Sequence, residues 1–496
     1  MTMPQETHDY PPTRWIAMTV LLIAGFMNLL DVTIVNVALP QMQQDLGATS
    51  SEIEWVVAAY ALAFSLGLLP FGRLGDHLGR RRIFLIGVVL FTICSFLCGV
   101  APSMETLIAA RALQGLSGAM MAPQTLAIAQ VIFPPQERGM AFAMFGLTAS
   151  LASVAGPIAG GLLIQGDLWG LDWRPIFLVN IPVGVLAIVA GLRFIPHMPG
   201  HRGTGIDRTG IALAGLSVFL LVFPLIEGHG RGWPLWCFAM MAAAVPTGLA
   251  FVMWQQRQAR LSRPQLVPAS LLANSRFLGG TLLSTIFFSA VPSFFLVLAV
   301  FFQTGFGLTP LESGLASLPF SIGVLLSSLA SGRLGSSWQR SRILAGALML
   351  AVAMAAVRHT VGSAAVPLDT IAFLPYLLLG GFGLGTAISP MFQTVLSTVG
   401  GRDAGSASGA LQSFQQAGGA LGVALVGQIF FSTLASRMGA GDPHAGFVDA
   451  MQSALAYQIC IYLVVALGAF LLPRPPAQGA HGAHAGRKPE PVAEAG

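Results

Sequence analysis

WIAMTVLLIAGFMNLLDVTIVNVALP, residues 15–40, carries a single charged side chain, Asp31, in an otherwise apolar run. At about 1.5 Å of rise per residue, a helical run of this length crosses a hydrocarbon core roughly 30 Å thick. Asp31 then falls inside a bilayer, where an ionised carboxylate costs about 2.5 kcal/mol or more on insertion scales. It must face protein, meet a cation or bind a proton.

The rest of the chain agrees with a membrane environment. Of its 496 residues, 54% are hydrophobic and 9% charged, and the mean hydropathy is +0.74. That leaves too little polar surface to coat a soluble globule. The net charge of +5 comes from arginines in short breaks between apolar runs, so it marks topology and not a nucleic-acid face. Cys94, Cys98, Cys237 and Cys460 lie within apolar runs and form no CxxC pair, which excludes a disulfide or zinc framework and makes them plain core residues. The first fourteen residues include Glu6 and Asp9 and lack a basic n-region and a small-residue cleavage site, so the first span itself directs insertion. The sole lysine, Lys488, stands in the C-terminal tail, so no P-loop lysine exists in the folded part. Uphill work must draw on an ion gradient or a partner.

Apolar runs long enough to span occur at 15–39, 54–74, 83–101, 105–131, 139–163, 175–195, 209–226, 233–254, 277–302, 312–332, 342–360, 370–398, 405–431 and 451–472, fourteen in all. Arginines occupy alternate connections: Arg73 and Arg80–82, Arg138, Arg202 and Arg208, Arg257 to Arg276, Arg340 and Arg342, then Arg402. The positive-inside rule makes these connections and both termini cytoplasmic, which requires an even number of spans. GRLGDHLGRRR at 72–82 returns as GRLGSSWQRSR at 332–342, each copy after the second span of its half. Spans 1–6 then correspond to spans 9–14, with two spans inserted between. The expected organisation is a cytoplasmic segment 1–14, a six-helix bundle 15–195, two inserted helices with flanking loops at 196–276, a second six-helix bundle 277–472 and a disordered, Pro/Gly/Ala/His-rich tail 473–496. His481 and His484 in that tail read as solvated, not metal-binding.

Five motifs, LDVTIVNVALP at 30–40, GRLGDHLGRRR at 72–82, RALQGLSGA at 111–119, GPIAGG at 156–161 and WRPIFLVNIPVG at 173–184, together with the repeat, resemble the fourteen-helix drug:proton antiporters of the major facilitator superfamily. The resemblance implies an all-α polytopic fold of two six-helix bundles plus two inserted helices. It also implies Asp31 as the proton site, Arg111 as a proton-relay residue, Gly72, Gly75, Asp76, Gly79 and Arg80 as a conformational gate, and Gly156, Pro157, Gly160 and Gly161 as an antiporter signature.

The residues themselves support part of this. Asp31 lies about nine residues, or roughly 13 Å, from the outer end of its span, and Arg111 about eight residues, or roughly 12 Å, from the same surface. They are the one acid and the one base deep in any span, so each is the other's natural partner; a permanent ion pair that only fixes packing is the plainer alternative. A buried carboxylate beside an arginine changes proton affinity when its exposure or the arginine's distance changes. Gly115 and Gly118 share a face with Arg111 and admit a neighbouring helix. Asp76 sits where the positive end of span 13, near Gly405, would attract it, although a solvated turn beside lipid-binding arginines explains the same residues. His77 replaces the basic residue usual in the motif and puts a second ion-pair contact there in doubt. Ordinary helix packing accounts for GPIAGG, its proline kink included.

A candidate substrate cavity takes Asn28, Tyr60 and Gln114 as polar groups, with Phe287 and Phe294 from a heptad-spaced stripe in span 9, for which lipid contact or core packing is the plainer reading. Other acids, such as Glu105, Glu227, Glu312 and Asp449, stay near span ends. A pocket for dications would want a second deep carboxylate, so neutral, monocationic or weakly anionic substrates are expected. The expected function is proton-driven export of lipophilic drugs or toxic small molecules across the inner (plasma) membrane, using the proton gradient and no cofactor or metal. Expected partners are small lipophilic substrates, protons and the lipid bilayer, with no nucleic acid; nothing specifies an accessory periplasmic partner. The alternatives are a dedicated exporter of one endogenous metabolite or antibiotic, and a non-transporting receptor or enzyme. No nucleophile–base pair, metal cluster or phosphate loop supports an enzyme.

Overall fold

The structure, a computed structural model, describes residues 10–48, 50–134, 136–166, 170–200, 207–334, 338–400, 403–437 and 443–472, and among them every regular element is helical. The expected tail at 473–496, with Lys488, His481 and His484, and most of the segment 1–14 lie outside the described residues. Helices α1 (Arg14–Leu46), α2 (Ser50–Leu78), α3 (Arg80–Gly99), α4 (Met104–Ile132) and α5 (Arg138–Gln165) come first. Next, α6 (Pro175–Leu178) and α7 (Asn180–Phe194) share one span that breaks at Val179. Pro182 causes the break, because it has no N–H to return to the Leu178 carbonyl one turn earlier. The chain continues through α8 (Arg208–Gly230), α9 (Leu235–Arg260), the single turn α10 (Ala269–Leu272), α11 (Ser275–Val300), α12 (Pro310–Leu334), α13 (Gln339–Gly362), α14 (Leu374–Leu396), α15 (Ala404–Arg437) and α16 (Pro443–Gly468).

Each of the fourteen apolar runs lies on one of these helices, α6 and α7 together serving one. Thirteen of the spans are long and apolar enough to cross a membrane. The exception is α4, which is long enough but carries Arg111, Gln114, Gln124 and Gln130, all buried. It lies along α2 and α3, and a helix sheathed by protein need not be apolar to lipid. Its start is set by Ser103 and Thr106, each accepting a hydrogen bond from the other's backbone N–H.

The boundaries differ most at α1, which runs past Pro40 to Leu46 and ends on Gly47 at φ 61°. The polar extension is held because Asp45 accepts from Trp173 Nε1 at 3.0 Å and from Arg174 Nη1 at 2.9 Å. At its other end, Arg14 donates to Glu137 through Nε at 2.9 Å and Nη2 at 2.8 Å. These anchors hold the helix beyond its membrane-crossing part, Arg14–Leu39, so the depth of Asp31 within that span is unchanged.

Packing is mostly within each half. α1 lies on α5 and α7, and α4 on α2 and α3; later in the chain α11 lies on α15, α14 on α12 and α13, and α16 on α13. Between the halves, α5 meets α12 and α14, while α2 and α4 meet α15. The pair α8 and α9 packs on itself, and α8 touches both α2 and α15, so the insertion leans on one helix from each repeat.

Candidate functional site

Asp31 and Arg111 are brought together in the interior of the first half, with the acid 0% and the arginine 1% exposed. Arg111 Nη1 donates to Asp31 Oδ2 at 2.5 Å. Removing either partner from such a pair strands a buried charge, which costs about 3–5 kcal/mol. The other carboxylate oxygen, Oδ1, accepts from Gln114 Nε2 at 2.9 Å and from Asn180 Nδ2 at 3.0 Å. Both amides also donate to Ser95 Oγ, at 3.0 Å from Gln114 and 2.9 Å from Asn180. Arg111 is itself held from other sides: Nε donates to the Val56 carbonyl at 3.1 Å, Nη1 to Gln114 Oε1 at 2.7 Å, and the guanidinium lies 4.4 Å from the Tyr60 ring centre. The guanidinium therefore has places to rest that do not involve Asp31.

Local sequence explains how five helices converge here. Gly115 faces the Tyr60 backbone and Gly118 faces Asn28 and Tyr60, so a side chain at either would collide with α1 or α2. Gly184 faces Thr92 in the same way and lets α7 approach α3 beside Ser95. Asn28 accepts from Tyr60 Oη at 2.9 Å.

Three of the proposed cavity residues, Gln114, Phe287 and Phe294, are placed elsewhere by the structure. Gln114 is fully buried and spends its amide on Asp31, Ser95 and Arg111, so it belongs to the charged centre and not to a substrate pocket. Phe287 and Phe294 are buried in the core of the second half, against Tyr462 and Phe320, which makes that stripe packing. Asn180 and Ser95, which sequence reasoning passed over, are the missing members of the centre. The available signal was polarity within a span: Asn180 stands inside the WRPIFLVNIPVG motif, and Ser95 between two cysteines in an apolar helix.

A second cluster closes the end of the molecule where α2 meets α15. Asp76 accepts from Gly405 N at 3.0 Å, Ser406 N at 2.8 Å and Ser406 Oγ at 2.9 Å, all in the first turn of α15. Arg80 donates to the same carboxylate through Nε at 3.1 Å and Nη2 at 2.8 Å. The negative charge thus meets the positive end of a helix dipole. The backbones touch: a Cβ on Gly72 would lie 2.7 Å from the Gly405 carbonyl. Gly79 turns α2 into α3 at φ 103°, where a Cβ would also meet the Met198 carbonyl at 2.7 Å. A side chain at Gly75 would overlap Gln124, which donates to the Phe71 carbonyl at 2.7 Å. Neutral bonds reinforce the closure between halves: Ser408 Oγ to the Pro123 carbonyl at 3.0 Å, Gln130 Nε2 to Leu396 at 2.9 Å and Ser389 Oγ to Gly139 at 3.0 Å. A weaker ion pair, Arg73 to Asp403 at 3.8 Å, also joins the halves, whereas His77 keeps a buried Nδ1 with no hydrogen-bond partner among the described residues.

In α5, Gly156 lies against Thr33 and Ile34, and Gly160 against Ile34 and Val37, so these glycines seat α5 on α1 next to Asp31. Thr33 Oγ1 donates across to the Ala152 carbonyl at 3.0 Å. Gly161 faces open space, and Pro157 faces Gly314 of α12.

A multi-pass bundle with an internal repeat, a buried acid–base pair and a charged side chain on a helix end between halves fits a membrane transporter and not an enzyme. The chain belongs to the Major Facilitator Superfamily, whose family model matches residues 21–423. It is 39% identical over 438 residues to a probable actinorhodin transporter of Streptomyces coelicolor, covering 88% of this chain and 76% of that protein. It is 34% identical to a puromycin resistance protein of Streptomyces alboniger, covering 93% and 92% of the two chains. Among solved structures, the human organic anion transporter MFSD10 shares the fold, with a TM-score of 0.65 at 16% identity over 93% of this chain and all of that one.

Proposed function

We propose that the protein is a proton-coupled antiporter that exports lipophilic small molecules by alternating access across the plasma membrane, with both termini cytoplasmic. The observation that carries the reading is Asp31, a carboxylate buried at mid-membrane whose cation, Arg111, has other partners to rest on. Protonation of Asp31 from outside removes the charge that holds Arg111 at Oδ2, and the guanidinium relaxes onto Val56, Gln114 and Tyr60. Proton release to the inside restores the pair. The bundles at 15–195 and 277–472 rock about the cavity between them, and the latch at Asp76 shuts the cytoplasmic side when its contacts to α15 are made. A group that exchanges a proton only by changing partners gives the differential interaction that coupling requires.

The relatives support the cargo class, since one is a probable actinorhodin transporter and another a puromycin resistance protein. Names tied to single compounds also favour a second reading, a dedicated exporter of one antibiotic, and growth inhibition by a chemically varied drug panel separates the two. The test of coupling is proton flux in vesicles. Asp31→Asn should abolish substrate-dependent proton movement while leaving the protein folded, and undiminished coupling would overturn the proposal.

A further inference from the structure

We infer that Asn180 is a positioning residue for Asp31, fixing with Ser95 the carboxylate oxygen Oδ1 so that the transported proton enters at Oδ2, against Arg111. The inference rests on the reading of Asp31 as the proton site and adds how that site is aimed and to what it is tied.

The argument is one of donors and acceptors. An amide NH2 has two hydrogens. Gln114 and Asn180 each spend one on Asp31 Oδ1 and the other on Ser95 Oγ, which closes a four-membered square of hydrogen bonds. Oδ1 and Ser95 Oγ thus each accept two bonds, and each amide has used both hydrogens. A proton placed on Oδ1 would have to break the square at two corners, since an amide turned away from the carboxyl also leaves Ser95. A proton placed on Oδ2 breaks a single contact, the one from Arg111 Nη1. In that step an O–H bond forms at Oδ2, the carboxylate becomes a neutral carboxyl and Arg111 keeps its own protons. No electron changes hands.

The titratable or charged groups facing Asp31 are Arg111 on α4, Tyr60 on α2 and Cys98 on α3. α5 and α7 carry their sole charges, Arg138 and Arg193, at the far ends of those helices. The contribution from α7 is therefore a neutral donor, which helps the ionised form by hydrogen bonding alone. Placement adds a consequence. Asn180 opens α7 just after the break at Val179, and seven and six residues earlier Trp173 and Arg174 grip Asp45 on the same α1. One short segment, 173–180, thus holds α1 both at its carboxylate and at its end.

The experiment measures substrate-driven proton flux against pH in proteoliposomes of the full chain, for the wild type, Asn180→Leu, Asn180→Gln, Ser95→Ala and Asp31→Asn. Asn180→Leu deletes the donor at similar volume. Without it the ionised carboxyl is held less well and keeps its proton to higher pH, so the midpoint of the flux profile should rise by about one pH unit, a tenfold change in proton affinity. Ser95→Ala should move the midpoint the same way by less, and Asn180→Gln should return it toward the wild type. The substrate KM at low pH should stay the same in all three. A wild-type midpoint in Asn180→Leu, or equal loss of flux at every pH in both Asn180 variants while the protein remains folded, overturns the inference. If Asn180→Leu does not fold, the Ser95→Ala profile decides: an unmoved midpoint overturns it. Coupling that survives Asp31→Asn defeats the underlying reading instead, whereas loss of coupling there beside an unmoved Asn180→Leu profile defeats only this inference.

Discussion

Replacing Asp76 with asparagine isolates the latch, because the two side chains have nearly the same shape and differ in charge and in one acceptor. In the closed structure the carboxylate takes three bonds from the start of α15 and two from Arg80. Arg80 belongs to the same segment as Asp76 and stays with it whichever way the halves rock, so only the three bonds to Gly405 and Ser406 distinguish closed from open. Asparagine keeps one acceptor oxygen and turns an NH2 toward donors that want an acceptor. The loss is about two hydrogen bonds at about 1 kcal/mol net each, to which the helix dipole adds about 0.5 kcal/mol. A difference of roughly 2–2.5 kcal/mol shifts the closed-to-open ratio about 30- to 70-fold, which takes a population closed about 100:1 to about 1.5–3:1. Spin labels at Leu78 and Ser397, both exposed at this end on opposite halves, report the spacing by pulsed dipolar spectroscopy. The wild type should give mainly one short distance, and Asp76→Asn a second, longer population of comparable weight. An unchanged distribution would refute the assignment of Asp76 as the charge that holds the halves together, leaving the neutral bonds from Ser408, Gln130 and Ser389 as the closure.

Two further outcomes follow from local geometry. Asp45 has its pKa held below the ordinary carboxylate value, first by the Trp173 indole N–H and then by Arg174. A depressed carboxylate stabilises the fold above its unfolded pKa and loses that contribution as pH falls through the folded value. Acidification to well below pH 4 should therefore loosen the clamp and change Trp173 fluorescence, and Asp45→Asn should flatten that response. In α5, Gly156→Ala places a methyl into Thr33 and Ile34, whereas Gly161→Ala meets nothing within 4 Å. The first should lower thermal stability in detergent by about 1–3 kcal/mol, an overpacking cost, and the second should leave it within about 0.5 kcal/mol of the wild type; equal effects would contradict the packing of α5 on α1.

What could be read from the residues alone was whatever the bilayer constrains. The spans are legible because each must be apolar and about as long as the membrane is thick, and even α4, with its buried Arg111 and three glutamines, keeps enough apolar residues between them to read as a run. The ends of helices are less legible, since beyond the hydrocarbon core polar residues are free to continue a helix. Pro40 looked like a stop, yet α1 runs on because Asp45 finds Trp173 and Arg174 well over a hundred residues away in the chain. The charged centre was half legible. A lone deep acid and a lone deep base must meet, whatever the fold, so Asp31 and Arg111 could be paired by counting. Their neutral companions carry no such obligation. Gln114 was seen as a polar group but given to a cavity, and Asn180 and Ser95 went unnoticed, because an amide or hydroxyl within a span costs little enough to have many explanations.

That asymmetry bears on how the centre works. Arg111 supplies the attraction that makes a buried carboxylate tolerable, but attraction alone leaves the carboxyl free to turn and, in the proposed cycle, to take a proton on either oxygen. The neutral groups remove that freedom: Gln114 and Asn180 reach Oδ1 from α4 and α7, and Ser95 on α3 orients both. At the other end, Asp76 is likewise drawn by charge to the start of α15 and aimed by Ser406, whose N–H and hydroxyl both fall on Oδ2. In each place an ion decides that two helices meet, and uncharged donors decide which oxygen meets what. In the proposed cycle a proton at Oδ2 reverses the first of these at Asp31 and leaves the second in place, whereas a rocking bundle has to reverse both at Asp76.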